Sequence, residues 1–471
     1  MGEGKAGGGY GNIRCRQLDL LNKNDIIELT IESITNEGSG VGRYDGIAVF
    51  VPYTAPGDVI KARIVKTAAR YCFGIIDEIL TPSKSRGCDS CSAFGRCGSC
   101  SLRHITYDEE LKIKNGWVQD NMRRIGGLDV ELPPALPSPK VDRYRNKAVY
   151  PIKLQNGKPV IGFFAKRSHR VVTCDDCLLH PEFFGDICDA VMEWITSCNV
   201  SIYDEVEHKG LVRSLFIRHA EATGKAMAVI IANGSKLPQE QKLIDLIRAA
   251  APCVSSIMLN VNTDKTNVLL GKQSRLLWGD EFITDRLCGL DFSISPLSFY
   301  QVNRLGAEQL YNTAADFAEL SGGETLIDLY CGAGTIGLSM AHKVKQLIGV
   351  EIVAPAVENA KQNAAQNGVS NARFICADAA DAALLLEKEG IKPDVVIVDP
   401  PRKGCSRGLI DTIVRMAPDR VVMVSCDSAT AARDTAIFDS LGYHPVKIQA
   451  ADMFPRTNHI ECVVKLCREG E

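Results

Sequence analysis

The sequence has no apolar run approaching the roughly 18–20 residues that a membrane span requires. Residues 1–11 lack the apolar core of a secretion signal. A general excess of positive charge is also missing. Lys and Arg number 54 against 57 Asp and Glu, a net charge of −3, which excludes a histone-like cationic coat. No internal repeat is present, which excludes a solenoid. These absences point to a cytoplasmic protein, with no membrane contact and no obligate protein partner implied. At 471 residues the chain is long enough for about three domains.

Cysteine, by contrast, is abundant, with 18 residues. In a reducing compartment clustered thiols bind metal or do chemistry rather than form disulfides. Six fall at Cys88, Cys91, Cys97, Cys100, Cys174 and Cys177, as three Cys-x2-Cys pairs. The five residues between the first two pairs are fewer than the ~15–20 of a zinc ribbon. Four thiolates also suit an iron–sulfur cluster, so spacing alone leaves zinc and iron open.

Charge is uneven along the chain. Residues 140–170 hold nine Lys or Arg against one acid, Asp142, whereas residues 295–471 hold 17 basic and 22 acidic residues. A basic front and an acidic rear predict a polyanion-binding front. The basic stretch also carries Tyr144, Tyr150, Phe163 and Phe164. Cations for phosphates beside rings for unstacked bases are the components of single-strand or loop RNA recognition, although some of those rings must be core.

The local patterns divide the chain. Residues 1–20 are glycine-rich and are expected to be a disordered tail. Residues 21–82 alternate in short strands with turns at Glu37-Gly38-Ser39-Gly40 and Pro56-Gly57-Asp58, the pattern of a small β-barrel. Residues 107–125 have helical spacing closed by Gly126-Gly127, and residues 132–139 form a four-proline linker. Strands at 147–152 and 160–164 flank Gln155-Asn156-Gly157, a hairpin turn. From residue 325 strands and helices alternate, which specifies a mainly parallel sheet covered on both faces.

That sheet carries the chemistry. Its first strand runs into Cys331-Gly332-Ala333-Gly334-Thr335-Ile336-Gly337, and its second ends in Glu351. Glycines there let a nucleotide-like ligand approach the backbone, and a carboxylate can hold both ribose hydroxyls. Dinucleotide and S-adenosylmethionine folds fit alike, and Gly337 is alternatively a helix–strand packing residue. The fourth strand ends in Asp399-Pro400-Pro401-Arg402. Amino-methyltransferases place an aromatic residue after a similar acid-Pro-Pro, and Arg402 disfavours that reaction. The fifth strand ends in Ser425-Cys426-Asp427, which places a thiol at the ligand-binding edge.

Five ordered segments resemble the RNA uracil-5-methyltransferases: residues 295–303, 328–335, 399–402, 425–427 and 452–461. The front resembles the RNA-binding TRAM barrel through Glu37-Gly38-Ser39-Gly40-Val41-Gly42. The resemblance implies a multidomain fold: an OB-like TRAM barrel over 21–82, a central α+β domain with an iron–sulfur cluster over 83–285, and a C-terminal α/β class I (Rossmann-like) methyltransferase sheet over 286–471. It implies that Gln301, Tyr330, Glu351 and Asp399 contact S-adenosylmethionine. Cys426 would be the nucleophile and Glu461 the proton acceptor. Cys91, Cys97, Cys100 and Cys177 would bind a 4Fe-4S cluster, with Cys88 and Cys174 left over. Ser428 stands where many members have proline, and Asp427 where they have asparagine, which bears on how the nucleophile's loop is held.

The reaction expected from this resemblance is transfer of a methyl group to C5 of a uridine in RNA, with 23S ribosomal RNA favoured over the tRNA T-loop. Two rival readings remain at this point. A cytosine-5 RNA methyltransferase is one, although its Pro-Cys motif is absent. A non-catalytic RNA-binding iron–sulfur protein is the other.

Overall fold

The structure is a computed structural model and describes residues 21–87, 90–266 and 268–470. The tail expected over residues 1–20 and Cys88 lie outside the described residues. Two compact units are present, one of residues 21–87 and 101–109, the other of residues 90–100 and 110–470.

The first unit is a closed barrel of β1 (Ile26–Ile34), β2 (Ser39–Tyr44), β3 (Ile47–Pro52), β4 (Val59–Thr67) and β5 (Tyr71–Thr81), in the order β1-β2-β3-β5-β4. Alternation explains it: Leu29, Ile31, Val49, Val51, Ile60 and Ile64 point inward and are fully buried, while their neighbours face out. Gly40 is required by close approach, because a Cβ there would lie 1.8 Å from Thr54 Oγ1. Asp58, from the Pro-Gly-Asp turn, accepts from Ala55 N, Ser83 N and the Arg86 guanidinium, closing the barrel's rim.

Helix α1 (Tyr107–Arg124) follows. The central sheet is built from β6 (Lys147–Gln155) and β7 (Lys158–Ile161), then β10 to β13. Between them lie the small hairpin β8 (Phe163–Phe164) and β9 (Val171–Val172) and helix α2 (Phe183–Ser197). Strands β10 (Val212–Ala220) and β11 (Lys225–Ala232), helix α3 (Glu240–Ala250), β12 (Val254–Val261) and β13 (Gln273–Gly279) complete it, in the order β13-β12-β11-β10-β6-β7. The expected Asn156-Gly157 turn joins β6 to β7 with both residues left-handed, at φ 52° and 74°. Helices α2 and α3 cover one face of the sheet. The hairpin β14 (Ile283–Leu287) and β15 (Leu290–Ile294) and helix α4 (Arg304–Ala318) cover the other. The domain boundary expected at 285/286 lies within β14.

The C-terminal part alternates as expected: β16 (Thr325–Leu329), α5 (Thr335–Met340), β17 (Gln346–Glu351), α6 (Ala354–Gln366), β18 (Ala372–Cys376), α7 (Ala379–Lys388) and β19 (Val395–Val398). It continues through α8 (Arg407–Met416), β20 (Arg420–Ser425), α9 (Ser428–Asp439), β21 (Tyr443–Ala451) and β22 (Glu461–Arg468). The sheet order is β18-β17-β16-β19-β20-β22-β21, parallel through β20 and antiparallel beyond it. Strand order reverses between β16 and β19, so a crevice opens at their carboxyl ends, where open α/β sheets bind ligands. The proline linker does more than connect. Leu136 N donates to Ala450 O and Leu136 O accepts from Asp452 N, so the linker covers the edge of β21.

Candidate active site

The loop leaving β16 turns back sharply, with Tyr330, Gly332 and Gly334 at φ 67°, 56° and 81°. An ideal Cβ on Gly332 would meet nothing within 4 Å, so the space before the loop is open. Gly337 has the packing role. A Cβ there would press to 2.7 Å on Asp328 Oδ2, and the Gly337 amide instead donates to that oxygen at 2.9 Å. Burial pushes the Asp328 carboxyl up to about 7, with Asp399 and Glu351 adding to the rise and the Gly337 amide opposing it. Its other oxygen, Oδ1, is buried with no protein partner.

Glu351 ends β17 beside this loop and accepts from Gly332 N at 3.1 Å and Val353 N at 2.8 Å. Gln301 hydrogen-bonds through its side chain to the buried Tyr311 hydroxyl, which also contacts Thr335 Oγ1 at 3.0 Å. Burial, and secondarily the charge of Asp399, raise that phenol. Gln301 and Asp399 therefore share one neighbourhood with the start of α5. Tyr330 faces the other side of the sheet, where burial, then Cys405, Asp378 and Asp434, raise its phenol to about 12. Glycine loop, ribose-height carboxylate and open space suit the adenosine part of S-adenosylmethionine.

Cys426 and Glu461 come together because β20 and β22 are neighbours, with Ser425 opposite Cys462. Burial pushes the half-buried Cys426 thiol up to about 11, reinforced by Glu461 and Asp399 and opposed by Arg402. Glu461 is 5% exposed. Burial raises its carboxyl to about 8, Asp399 adds to that, and Arg402 opposes it. Asp399 itself rises to about 7 through burial. Thiol, two acids and one guanidinium thus act on each other at one edge.

The loop after Cys426 is held without proline. Asp427 caps α9, accepting from Ala429 N at 3.1 Å and Thr430 N at 2.9 Å, as asparagine would. Ser428 contributes a hydroxyl that accepts from Asn121 Nδ2 at 2.7 Å. The segment before Glu461 hangs on a buried ion network. Lys114 Nζ lies 2.7 Å from Glu110 and 2.8 Å from Asp452, and donates to Phe454 O at 3.1 Å. Arg456 N donates to Glu110 at 2.7 Å.

Residues 272–469 match the family described as tRNA (uracil-5-)-methyltransferase, and residues 21–76 match the TRAM domain. An uncharacterised RNA methyltransferase of Halalkalibacterium halodurans is 42% identical over 452 residues, covering 96% of this chain and 99% of that protein. One from Clostridium tetani is 41% identical, covering 95% and 98%. A tRNA (uracil-54, C5)-methyltransferase of Pyrococcus abyssi, solved with S-adenosyl-L-homocysteine, aligns at TM-score 0.75 and 28% identity. That alignment covers 93% of this chain and all of the other.

The chain belongs to the RNA uracil-5-methyltransferase family. That family's reaction is methyl transfer from S-adenosylmethionine to uracil C5 in RNA.

Two other thiols of this uracil-5-methyltransferase sheet are more deeply buried than Cys426. Cys331 and Cys405 are 7% and 6% exposed. Burial pushes Cys405 up to about 12 and Cys331 higher still.

Cys91, Cys97, Cys100, Cys174 and Cys177 lie near one another. Among the described residues no group of three or more Cys, His, Asp or Glu is arranged to hold a metal. Cys174 and Cys177 are nonetheless pushed up to about 12, first by burial and then by neighbouring thiols that include Cys91 and Cys97. Cys100 adds to the rise at Cys177. Soft thiol donors at this density fit an iron–sulfur cluster chemically.

The basic front narrows. Tyr144, Tyr150 and Phe163 are core, while Lys140, Arg143 and Lys153 are paired with Glu221, Asp176 and Glu205. Burial lowers Lys147 to about 8. Sequence reasoning missed Tyr311, Asp328 and Lys114. Asp328 and Gly337 stand nine apart across a βα turn, a spacing that could have signalled the role of Asp328.

Proposed function

We propose that the protein methylates C5 of a uridine in RNA through a covalent adduct with Cys426. What carries this reading is the pairing of a half-buried thiol with a buried carboxyl at the ends of adjacent strands, next to Asp399 and Arg402.

Uracil C5 is too weak a nucleophile to take a methyl group directly. Addition of the Cys426 thiolate at C6 places the electron pair on C5, dividing one hard step into easier ones. C5 then takes the sulfonium methyl, and the carbon–sulfur bond of the donor breaks to leave S-adenosylhomocysteine. Glu461, ionised, removes the C5 proton, and the C6–sulfur bond breaks to return the thiolate. Arg402 favours both anionic forms, whereas Asp399 opposes them. Glu351 would hold the ribose hydroxyls, with Gln301 and Asp399 lining the rest of the donor site and Tyr330 bordering it from the opposite face of the sheet, beside Asp378. We further infer that Cys91, Cys97, Cys100 and Cys177 hold a 4Fe-4S cluster of structural or RNA-docking role, because the transfer needs no electrons. Iron and sulfide analysis of anaerobically purified protein tests this, and a zinc-loaded, colourless protein refutes it.

Ribosomal RNA is the substrate favoured by a TRAM barrel combined with a cysteine cluster. The likeness to the P. abyssi enzyme supports a second reading, a tRNA uridine. Nucleoside mass spectrometry of both RNAs from a deletion strain names the missing base and its carrier. The mechanism is tested with methyl-labelled donor on a denaturing gel. Glu461→Gln should stall as a labelled protein–RNA band, and Cys426→Ala should give neither band nor product. Turnover by Cys426→Ala refutes the assignment, and product containing 5-methylcytidine would shift it to cytosine.

A further inference from the structure

The hairpin of β8 and β9 carries features that the reaction at Cys426 does not use. Of the four rings in the basic stretch, only Phe164 is on the surface, 38% exposed. It stacks against His169, with ring centroids 5.3 Å apart and planes at 29°. The turn between the strands presents Lys166, Arg167 and Arg170, all exposed. Among the described residues these three form no ion pair, unlike Lys140, Arg143 and Lys153 nearby. The acid that does lie close, Glu205, is already taken by Lys153 at 2.8 Å and His169 at 2.7 Å.

The turn is rigidly built. Ala165 N donates to Arg170 O at 2.9 Å, and Ser168 N to Ala165 O at 3.0 Å. Gly98 N donates to Phe164 O at 3.2 Å, and a Cβ at Gly98 would come within 3.1 Å of the Lys166 backbone. Beneath, Ala165 packs with Ala93 and Val172 against Cys91, Cys97 and Cys174. Phe164 lines two surface hollows of about 410 and 300 Å³. Lys166 and Arg167 border the first, and His169 borders the second.

An exposed ring on a fixed backbone, bordered by cations that no acid neutralises, matches a polyanion whose repeating unit also carries a flat π-face. We propose that this turn docks one unpaired nucleotide of the substrate RNA, its base stacked on Phe164 and its flanking phosphates on Lys166, Arg167 and Arg170. The site is separate from the crevice that receives the reacting uridine. It rests on the reading that RNA is the substrate and adds where outside the crevice that RNA is gripped.

The test titrates the full chain with a single-stranded RNA that contains no uridine, so that the reacting pocket contributes nothing. Phe164→Ala should weaken binding about 5- to 100-fold, the range expected when one base stack is removed. Phe164→Trp should keep the affinity, and its added indole fluorescence should be quenched as RNA binds. Unchanged affinity in Phe164→Ala, indole emission unmoved at saturation, or no binding by the unaltered protein overturns the proposal. Methyl transfer to a uridine-containing RNA, measured on the same preparation, is read separately. Its loss overturns the functional reading, whereas loss of the Phe164 effect overturns only the docking site.

Discussion

The crevice at Cys426 and the turn at Phe164 use charge in opposite ways. Around Cys426, Asp399 and Glu461 lie close together away from water, and each is pushed toward its neutral form. Around Phe164, Lys166, Arg167 and Arg170 stand in solvent, with no acid paired to them among the described residues. Dehydrated charge acts strongly over a few ångströms and tunes protonation, which is what bond-making needs. Solvated charge acts weakly per group but reaches a flexible polyanion, and its cost in folding is small. Lys114 shows a third use: buried yet ionically partnered on two sides, it fixes a loop.

The contrast is broken most directly by pH. If Glu461 must be ionised to take the C5 proton, kcat should rise by up to about tenfold per pH unit below about 8 and level off beyond. The same group predicts a stability effect of definite sign. Its folded pKa lies above the unfolded value, so the native state holds the extra proton between about 4.3 and 8, and stability falls as pH rises through that window. Glu461→Gln should therefore gain in melting temperature relative to the unaltered protein between pH 5 and pH 8.5, and a constant difference would refute the burial argument.

Next in size is Lys114→Met. Leaving Glu110 and Asp452 buried without their cation should cost about 3–5 kcal/mol in urea unfolding. A neutral result would mean that the network is hydrated. Glu351→Ala removes a charge-assisted acceptor worth about 1.5–3 kcal/mol, so calorimetry should find S-adenosylmethionine bound about tenfold to a hundredfold more weakly, with the fold kept. Smallest per residue is the solvated end of the contrast. Neutralising Lys166, Arg167 and Arg170 together should lower the salt slope of single-stranded RNA binding by about 0.7 for each phosphate left without its cation, with binding of free cofactor unchanged.

Much of the methyltransferase sheet was legible because each βα unit announces itself by an apolar run, a strand-end motif and a helix. Cys426 and Asp399 could be singled out from strand ends and Glu461 only through the family resemblance, and the structure places all three at one edge. The central sheet was harder. Strands β10 and β11 are buried on both faces, so residues 212–220 and 225–232 show no alternation to read. Lys114 carried no local signal of its burial, since its partner Asp452 is 338 residues away. The breadth of the basic front was overstated for the same reason: sequence shows cations, and pairing with Glu221, Asp176 and Glu205 shows only in three dimensions.

Strand β22 follows every other strand of its sheet in the chain, yet it is inserted between β20 and β21 rather than added at a rim. Until residues 461–468 have been synthesised and cleared the ribosome, β20 and β21 cannot be bridged, and the buried carboxyl of Glu461 is not yet in place. A nascent chain therefore acquires its glycine loop and Cys426 before Glu461, and this sheet is completed only by the last strand to be made.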